Sequence, residues 1–174
     1  MNEEPVPRWW AAPDGLHLAT ALTISFQRYL VTGAPPLPAI PKSLGALEPA
    51  ELEPGHFLVP VHNNEAVWLG MEFLERSDSI RLLIGDRQEW YGSTFKGAEA
   101  RGPEMVSALP GPRGTIRFGP SPSQCARLEI DPLRREVGRA RVDFVDPETF
   151  EKLTARAPPR PAREEDAYGD WRLP

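Results

Sequence analysis

The feature that most constrains the fold is the alternation of side chains over residues 16–30. Leu16, Leu18, Thr20, Leu22, Ile24, Phe26, Arg28 and Leu30 share one parity of this stretch. Because successive side chains of a strand point to opposite faces, the pattern predicts a half-buried strand, or a strand that continues through a bend. A helix is the alternative, since Leu18, Leu22 and Phe26 also form an i, i+4 row. The β-branched and aromatic residues of the second half favour the strand.

Shorter apolar runs, separated by turn residues, predict further strands. They cover residues 57–62, 66–73, 79–84, 88–94, 115–118, 126–130 and 137–145. Asn63-Asn64 lies between the first two runs, and because Asn tolerates positive φ, we predict a tight hairpin there. Many short strands without a strand–helix–strand rhythm indicate a mainly β fold, an antiparallel sandwich or barrel.

The 21 prolines and 14 glycines predict long loops between these strands. Residues 33–54 form a proline-punctuated stretch that we expect to wrap a surface or cover a sheet edge, with one helical turn at 48–53. Residues 97–114 contain three prolines and four glycines and are also expected to form a loop.

The two ends of the chain differ from its middle. Residues 1–15 contain three prolines and an Asp-Gly turn, so we predict an irregular arm that carries Trp9 and Trp10. Residues 1–154, this arm included, are expected to form a single β-rich domain. Residues 155–174 are rich in proline and charge, and we expect an extended or disordered tail.

One short helix is predicted immediately before the tail. Asp146 is a candidate N-cap, and Pro147 suits the first helical position. The helix is expected to stop before a pair of prolines, because the residue preceding a proline disfavours helical geometry. Tyr168 and Trp171 are the tail aromatics that we expect to hold the tail against the domain.

Charge and cysteine content exclude several classes of function. The formal net charge is −5, and no basic stripe interrupts the acidic balance, so we expect no nucleic-acid partner. Cys125 is the single cysteine and cannot form an internal disulfide. No apolar run approaches the ~20 residues that span a bilayer, and the first residues lack the pattern of a signal peptide. We therefore expect a cytoplasmic protein without membrane contact.

One polar cluster suggests metal chemistry as an alternative function. It comprises Pro54-Gly55-His56, His62, Asn63, Asn64, Glu65 and Gly70. The cluster resembles the first metal-binding motif of the cupin family, which implies a metal-dependent enzyme that uses His62 and Glu65. It departs from that motif because Asn64 stands where a second histidine is needed, and no histidine follows His62. A polar hairpin that satisfies turn backbone groups is the other interpretation, and our prediction is that the chain has no metal or cofactor.

Other candidates for chemistry are weaker. Cys125 has no histidine after it and only Arg127 as a cationic neighbour, so we do not assign it as a nucleophile. The chain has five tryptophans: Trp9, Trp10, Trp68, Trp90 and Trp171. They serve either as core anchors or as a ligand pocket or protein interface, where tryptophan is enriched.

Two patches resemble a family of uncharacterised bacterial proteins. The first runs from Phe26-Gln27-Arg28 through the proline loop to Glu65-Ala66-Val67-Trp68, and the second comprises Asp146-Pro147, Phe150, Thr154 and Pro158-Pro159. The family has no assigned activity, so the resemblance implies no mechanism, but it directs attention to Arg28, Glu65 and Trp68. Arg28 shares a face with Leu22 and Phe26, and a half-buried arginine needs a carboxylate, for which Glu65 is the candidate.

These observations favour a non-enzymatic binding or protein-interaction module. Its candidate binding residues are Arg28, Glu65, Trp68 and Trp90. The contact surface is expected to include the arm with Trp9 and Trp10, the hairpin tip and the tail. The first alternative is the cupin-like metal-dependent enzyme, and the second is a homo-oligomeric structural protein whose Trp9-Trp10 arm exchanges between subunits.

Overall fold

A computed structural model describes ten segments of the chain. They are residues 8–18, 22–31, 41–73, 79–86, 89–96, 104–106, 110–111, 114–115, 117–133 and 137–166. The strands in this part of the chain are β1 (Trp9–Ala12), β2 (Gly15–Leu18), β3 (Leu22–Leu30), β4 (Ala50–Glu53), β5 (His56–Pro60), β6 (Glu65–Phe73), β7 (Ser79–Asp86), β8 (Glu89–Lys96), β9 (Glu104–Val106), β10 (Pro110–Gly111), β11 (Gly114–Thr115), β12 (Arg127–Pro132) and β13 (Ala140–Val145). The helix α1 spans Pro147–Thr154, and a 3₁₀ turn spans Glu164–Asp166.

Most of the strands belong to two sheets. The first sheet has the order β1-β2-β3-β6-β9, and all its neighbours are antiparallel. The second sheet has the order β4-β5-β13-β12-β7-β8, with β5 and β13 parallel and the other neighbours antiparallel. Strands β10 and β11 form a separate two-stranded ribbon. The prediction of a mainly β, largely antiparallel fold is confirmed.

A shared hydrophobic core joins the two sheets in a sandwich-like arrangement. Leu22, Ile24 and Phe26 of β3 lie in one buried cluster with Val142 and Phe144 of β13. The Phe26 and Phe144 rings meet edge to face across the sheets, with centroids 5.9 Å apart. In the described part of the chain neither sheet closes on itself, so the sandwich form of the prediction holds and the barrel form does not.

The alternating stretch at residues 16–30 forms two strands rather than one. Strands β2 and β3 pair antiparallel, with Leu16 opposite Ile24 and Leu18 opposite Leu22. All four of these side chains are buried, because the reversal between the strands preserves which parity faces the core. Gly15 begins β2 where a Cβ atom would lie 2.1 Å from the Ile24 carbonyl oxygen, so only glycine fits.

The prediction of an irregular arm is wrong for Trp9–Ala12, which form β1 and pair with β2. Trp9 is buried in the main core, and its indole N–H donates to the Gly138 carbonyl at 3.0 Å. Trp10 is 39% exposed and stacks on His17. Residues 1–7 lie outside the described part of the chain.

The prediction of a hairpin at Asn63-Asn64 is also wrong. Strand β5 pairs with β4 and β13 in the second sheet, whereas β6 pairs with β3 and β9 in the first. The two asparagines therefore cross from one sheet to the other. Both flanking strands are buried on both faces over most of their length. Their side-chain pattern therefore does not indicate which sheet each strand joins.

Two predicted loops contain strands. Residues 48–53 hold β4 (Ala50–Glu53) instead of a helical turn, because Ala50 packs against Leu58 of β5. Residues 97–114 contain β9, β10 and the start of β11. The prolines and glycines of this stretch led to the prediction of a loop, because both residue types are unfavourable within strands. Residues 44–47 cover a sheet edge, as predicted for this stretch. Their backbone bonds to the part of β3 that extends beyond its pairing with β2.

Helix α1 confirms the capping pattern. The Asp146 carboxyl accepts hydrogen bonds from the Thr149 backbone N–H at 2.9 Å and from the Thr149 hydroxyl at 2.7 Å. Those two bonds lower the pKa of Asp146, with burial opposing them. Phe150 packs on Ala50 and Leu58, so the helix covers the outer face of the second sheet near β4 and β5. No helix in the described part of the chain is both long and apolar enough to cross a bilayer.

Candidate functional site

After α1 the chain runs back across the end of β3 and β6. We call residues 155–166 the tail segment. Three side chains from β3, β6 and the crossing that leads into β6 bond to its main chain: Arg28, His62 and Glu65. We call these three residues the backbone clamp.

Glu65 is the buried member of the clamp. It begins β6 and is fully buried. Its Oε1 accepts a hydrogen bond of 2.6 Å from the backbone N–H of Ala162, which is itself 6% exposed. Its Oε2 is buried and has no hydrogen-bond partner among the described residues. A buried carboxyl oxygen without a partner is costly, and the bond from the Ala162 N–H to the other oxygen offsets part of that cost.

His62 and Arg28 bind two consecutive carbonyls of the tail segment, those of Pro159 and Arg160. His62 Nε2 lies 2.9 Å from the Pro159 carbonyl oxygen. Because a carbonyl can only accept, Nε2 must carry the proton. An Arg28 Nη1–H donates to the Arg160 carbonyl at 2.9 Å, and Arg28 Nε–H donates to the Leu44 carbonyl at 3.3 Å. Arg28 therefore links the tail segment to the proline loop.

The clamp residues are positioned by the first sheet and the crossing that enters it. In the register of β3 and β6, Arg28 is opposite Val67 and Leu30 is opposite Glu65, so Arg28 and Glu65 lie two rungs apart on the same face of the sheet. The Glu65 N–H bonds to the His62 carbonyl, which closes the turn at the crossing. The Gln124 side-chain amide donates to the Glu65 carbonyl at 3.0 Å and so holds the start of β6 from the other side.

Further contacts hold the tail segment at its two ends. Arg156 binds Glu48 at 2.5 Å and lies 3.4 Å from the Pro49 carbonyl oxygen. Arg160 and Asp166 form a bidentate pair with distances of 2.6 and 2.8 Å, and the Arg163 N–H also donates to Asp166. These donors, Arg160 first, lower the pKa of Asp166 to about 2. Residues 163–166 thus fold back onto Arg160 through the Asp166 carboxyl.

The structure brings some of the predicted site residues together and separates others. Arg28 and Glu65 lie at one end of the first sheet but do not bond to each other, because each bonds to the tail segment. Trp68 lies on the opposite face of β6, buried with Tyr29 and Ala66, and its indole N–H donates to the Pro41 carbonyl at 3.1 Å. Trp90 belongs to β8, at the edge of the second sheet.

The cupin-like ligand pair is not arranged as a metal site. His62 Nε2 is occupied as a donor to Pro159, and the Glu65 Oε1 accepts from Ala162. Pro54-Gly55, the start of the motif, forms the turn between β4 and β5, where the Gly55 N–H bonds to Glu51. Among the described residues, no group of three or more His, Cys, Asp and Glu side chains is placed to hold a metal.

A second polar cluster surrounds Asp143 on the outer face of the second sheet. Asp143 accepts from Arg141 at 2.6 Å, Arg127 at 2.8 Å and His56 at 2.8 Å. Burial tends to raise the pKa of Asp143, but the bonds from Arg141, Arg127 and His56 outweigh it and lower that pKa. The carboxyl joins side chains of three neighbouring strands, which is a structural role.

Sequence reasoning missed the tail's share in the site. Ala162, Pro159 and Arg160 belong to the stretch that we expected to be extended or disordered, and Gln124 was not singled out. Every residue type carries the same main-chain carbonyl, and all but proline carry an N–H. The sequence could therefore not show which main-chain atoms of the tail segment bind the clamp. The available signal was the proline-rich composition of residues 157–161, which is typical of segments bound in extended form.

Comparisons with protein-family models, with curated proteins and with solved structures found no match for this chain.

Proposed function

We propose that this protein is a non-enzymatic interaction module that binds an extended, proline-containing peptide segment by its main chain. The observation that carries the proposal is the backbone clamp. Three side chains, Arg28, His62 and Glu65, bond to the tail segment through backbone atoms of residues 159–162. The tail segment occupies the site within the same chain.

The bonding pattern defines the peptide that the clamp accepts. Two donors face consecutive carbonyls, and one acceptor faces the N–H two residues further on. Proline suits the positions around the first carbonyl, because its fixed φ keeps the segment extended and reduces the entropy lost on binding. The Ala162 position is buried and needs a small side chain, whereas the Arg160 side chain is 57% exposed and tolerates variation.

A peptide titration tests the proposal on the full chain. Ala162→Leu places a large side chain at the buried position, and overpacking of this kind costs about 1–3 kcal/mol. The substitution should release the tail segment and free the clamp. A fluorescent peptide with the sequence of residues 155–166 should then bind saturably to the Ala162→Leu chain, measured by anisotropy. Binding to the wild-type chain should be at least about tenfold weaker, because the attached tail competes at high effective concentration.

The matched control is Ala157→Leu, which adds the same side chain at an exposed position of the tail segment. It should leave peptide binding at the wild-type level. A peptide that itself carries Ala162→Leu should not bind to either chain. If the Ala162→Leu chain keeps its fold by circular dichroism but shows no saturation at millimolar peptide, the proposal is wrong.

A further inference from the structure

We propose that the partner of the clamp is a second copy of this chain, whose tail segment exchanges with the resident one to form a reciprocal dimer. This inference rests on the proposed function, since it uses the same clamp and the same bonds. It differs from an exchange of the Trp9-Trp10 arm, because the tail segment is the part that moves and β1 stays paired with β2 of its own chain.

The first observation is the hinge between α1 and the tail segment. Ala155 ends the helix in the left-handed region, with φ of 54°, and it is the one non-glycine residue with positive φ among those described. Alanine is strained in this region because its Cβ approaches the backbone. A short hinge under strain favours exchange, since an opened hinge releases the strain while the bound segment keeps its contacts.

The second observation is that the hinge at Ala155 contributes little to holding the tail segment on the clamp. The side chains of Ala155 and Ala157 are exposed. The bonds that hold the tail segment join residues far apart in sequence: Arg28 to Arg160, His62 to Pro159, Glu65 to Ala162, and Arg156 to Glu48. None of these bonds depends on the two partners belonging to the same chain. A second copy can therefore supply the tail segment with the same geometry, and the exchange closes as a two-fold dimer.

Mixing two complementary variants tests the exchange directly. The Ala162→Leu chain has an intact clamp but a tail segment that does not fit. The double variant Arg28→Ala/His62→Ala has an intact tail segment but a defective clamp, and it leaves the buried Glu65 in place. Each chain alone should be monomeric by light scattering. An equimolar mixture should form a one-to-one heterodimer, and Ala162→Leu introduced into the second chain as well should abolish it.

Hinge variants give a second measurement that does not alter the clamp. Proline cannot adopt positive φ, so Ala155→Pro should disfavour return of the tail segment to its own clamp and shift the chain to a dimer. Glycine adopts this φ without strain, so Ala155→Gly should favour the monomer. The dimer dissociation constants of the two variants, measured by analytical ultracentrifugation, should differ by at least about tenfold.

The outcomes separate the two proposals. If the peptide binds to the Ala162→Leu chain but the mixture stays monomeric and Ala155→Pro does not dimerise, the exchange is wrong and the peptide-binding module stands. If the peptide fails to bind, the proposed function falls, and the exchange falls with it. A heterodimer that persists when both tail segments carry Ala162→Leu would show an interface elsewhere and would also overturn the exchange.

Discussion

At the scale of single residues, the surroundings of Glu65 differ most from those expected of its residue type. A fully buried acidic residue is expected to face a cation, and Arg28 lies two rungs away on the same face of the sheet. Glu65 instead uses one oxygen to bind a backbone N–H, and its other oxygen has no partner in the described part of the chain. The carboxyl thus acts as a hydrogen-bond acceptor for the tail segment rather than as half of an ion pair.

This role predicts different effects for two substitutions of Glu65. Glu65→Ala removes the acceptor and leaves the Ala162 N–H without its bond, which should lower the free energy of unfolding by about 1–3 kcal/mol. Glu65→Gln keeps an oxygen for that bond, and its amide nitrogen replaces an oxygen that has no partner among the described residues. It should therefore lower the free energy of unfolding by less than half as much as Glu65→Ala does. Urea denaturation measures both. Equal losses for the two variants would contradict the acceptor role.

At the scale of elements, helix α1 links the second sheet to the tail segment. Its first turn depends on Asp146, and its last residue leads into the strained Ala155. Phe150 attaches the helix to β4 and β5. The direction in which the tail segment leaves the second sheet therefore depends on an eight-residue helix that is capped at both ends.

The cap predicts a pH-dependent loss of stability. Asp146→Ala should lower the free energy of unfolding at pH 7 by about 1 kcal/mol, because the Thr149 N–H loses its acceptor. The pKa of Asp146 is lowered in the folded state, so its contribution is complete above the unfolded value of about 3.9. It is lost as the pH falls through the folded value. The difference between wild type and variant, from urea titrations at several pH values, should therefore shrink below about pH 4.

Asp146→Asn is the matched control for the cap. Asparagine caps helices about as well as aspartate but does not titrate, so its loss should be small at pH 7. A loss for Asp146→Ala that stays constant down to pH 2 would show that the carboxyl does not act through the charged cap.

At the scale of the whole molecule, three phenylalanines join the two sheets. Phe26 belongs to β3, Phe144 to β13, and Phe118 to the segment that bridges to Val67 of β6. The Phe118 and Phe144 rings have centroids 5.1 Å apart, and all three side chains are essentially inaccessible to solvent. Phe144 contacts both partners and is the centre of the interface.

Phe144→Ala should therefore destabilise the molecule as a unit. Large-to-small changes of this kind cost about 3–5 kcal/mol, because the cavity removes contacts on both sides. Thermal unfolding followed by far-UV and near-UV circular dichroism should show one lowered transition. Leu153→Ala is the control at an exposed position, with a side chain that is 48% exposed, and should change stability by less than about 0.5 kcal/mol. Separate transitions for the two sheets in the Phe144→Ala chain would contradict this account.

The local part of the prediction succeeded where a few neighbouring residues decide the outcome. The cap at Asp146 needs only Pro147 and Thr149, and it formed as expected. The alternation at residues 16–30 correctly assigned Leu22, Ile24 and Phe26 to the core face. The same alternation failed to show that the stretch reverses, because a hairpin preserves the parity of its two strands.

Two properties of this protein were determined by the amino-acid sequence alone: the mainly β class and the buried face of β2 and β3. Both follow from the period of two, which acts over a few residues. The tertiary structure decided that β5 and β6 enter different sheets and that Arg28, His62 and Glu65 meet the tail segment. These contacts join residues about a hundred positions apart through main-chain atoms, which every residue type carries, so no local pattern could specify them.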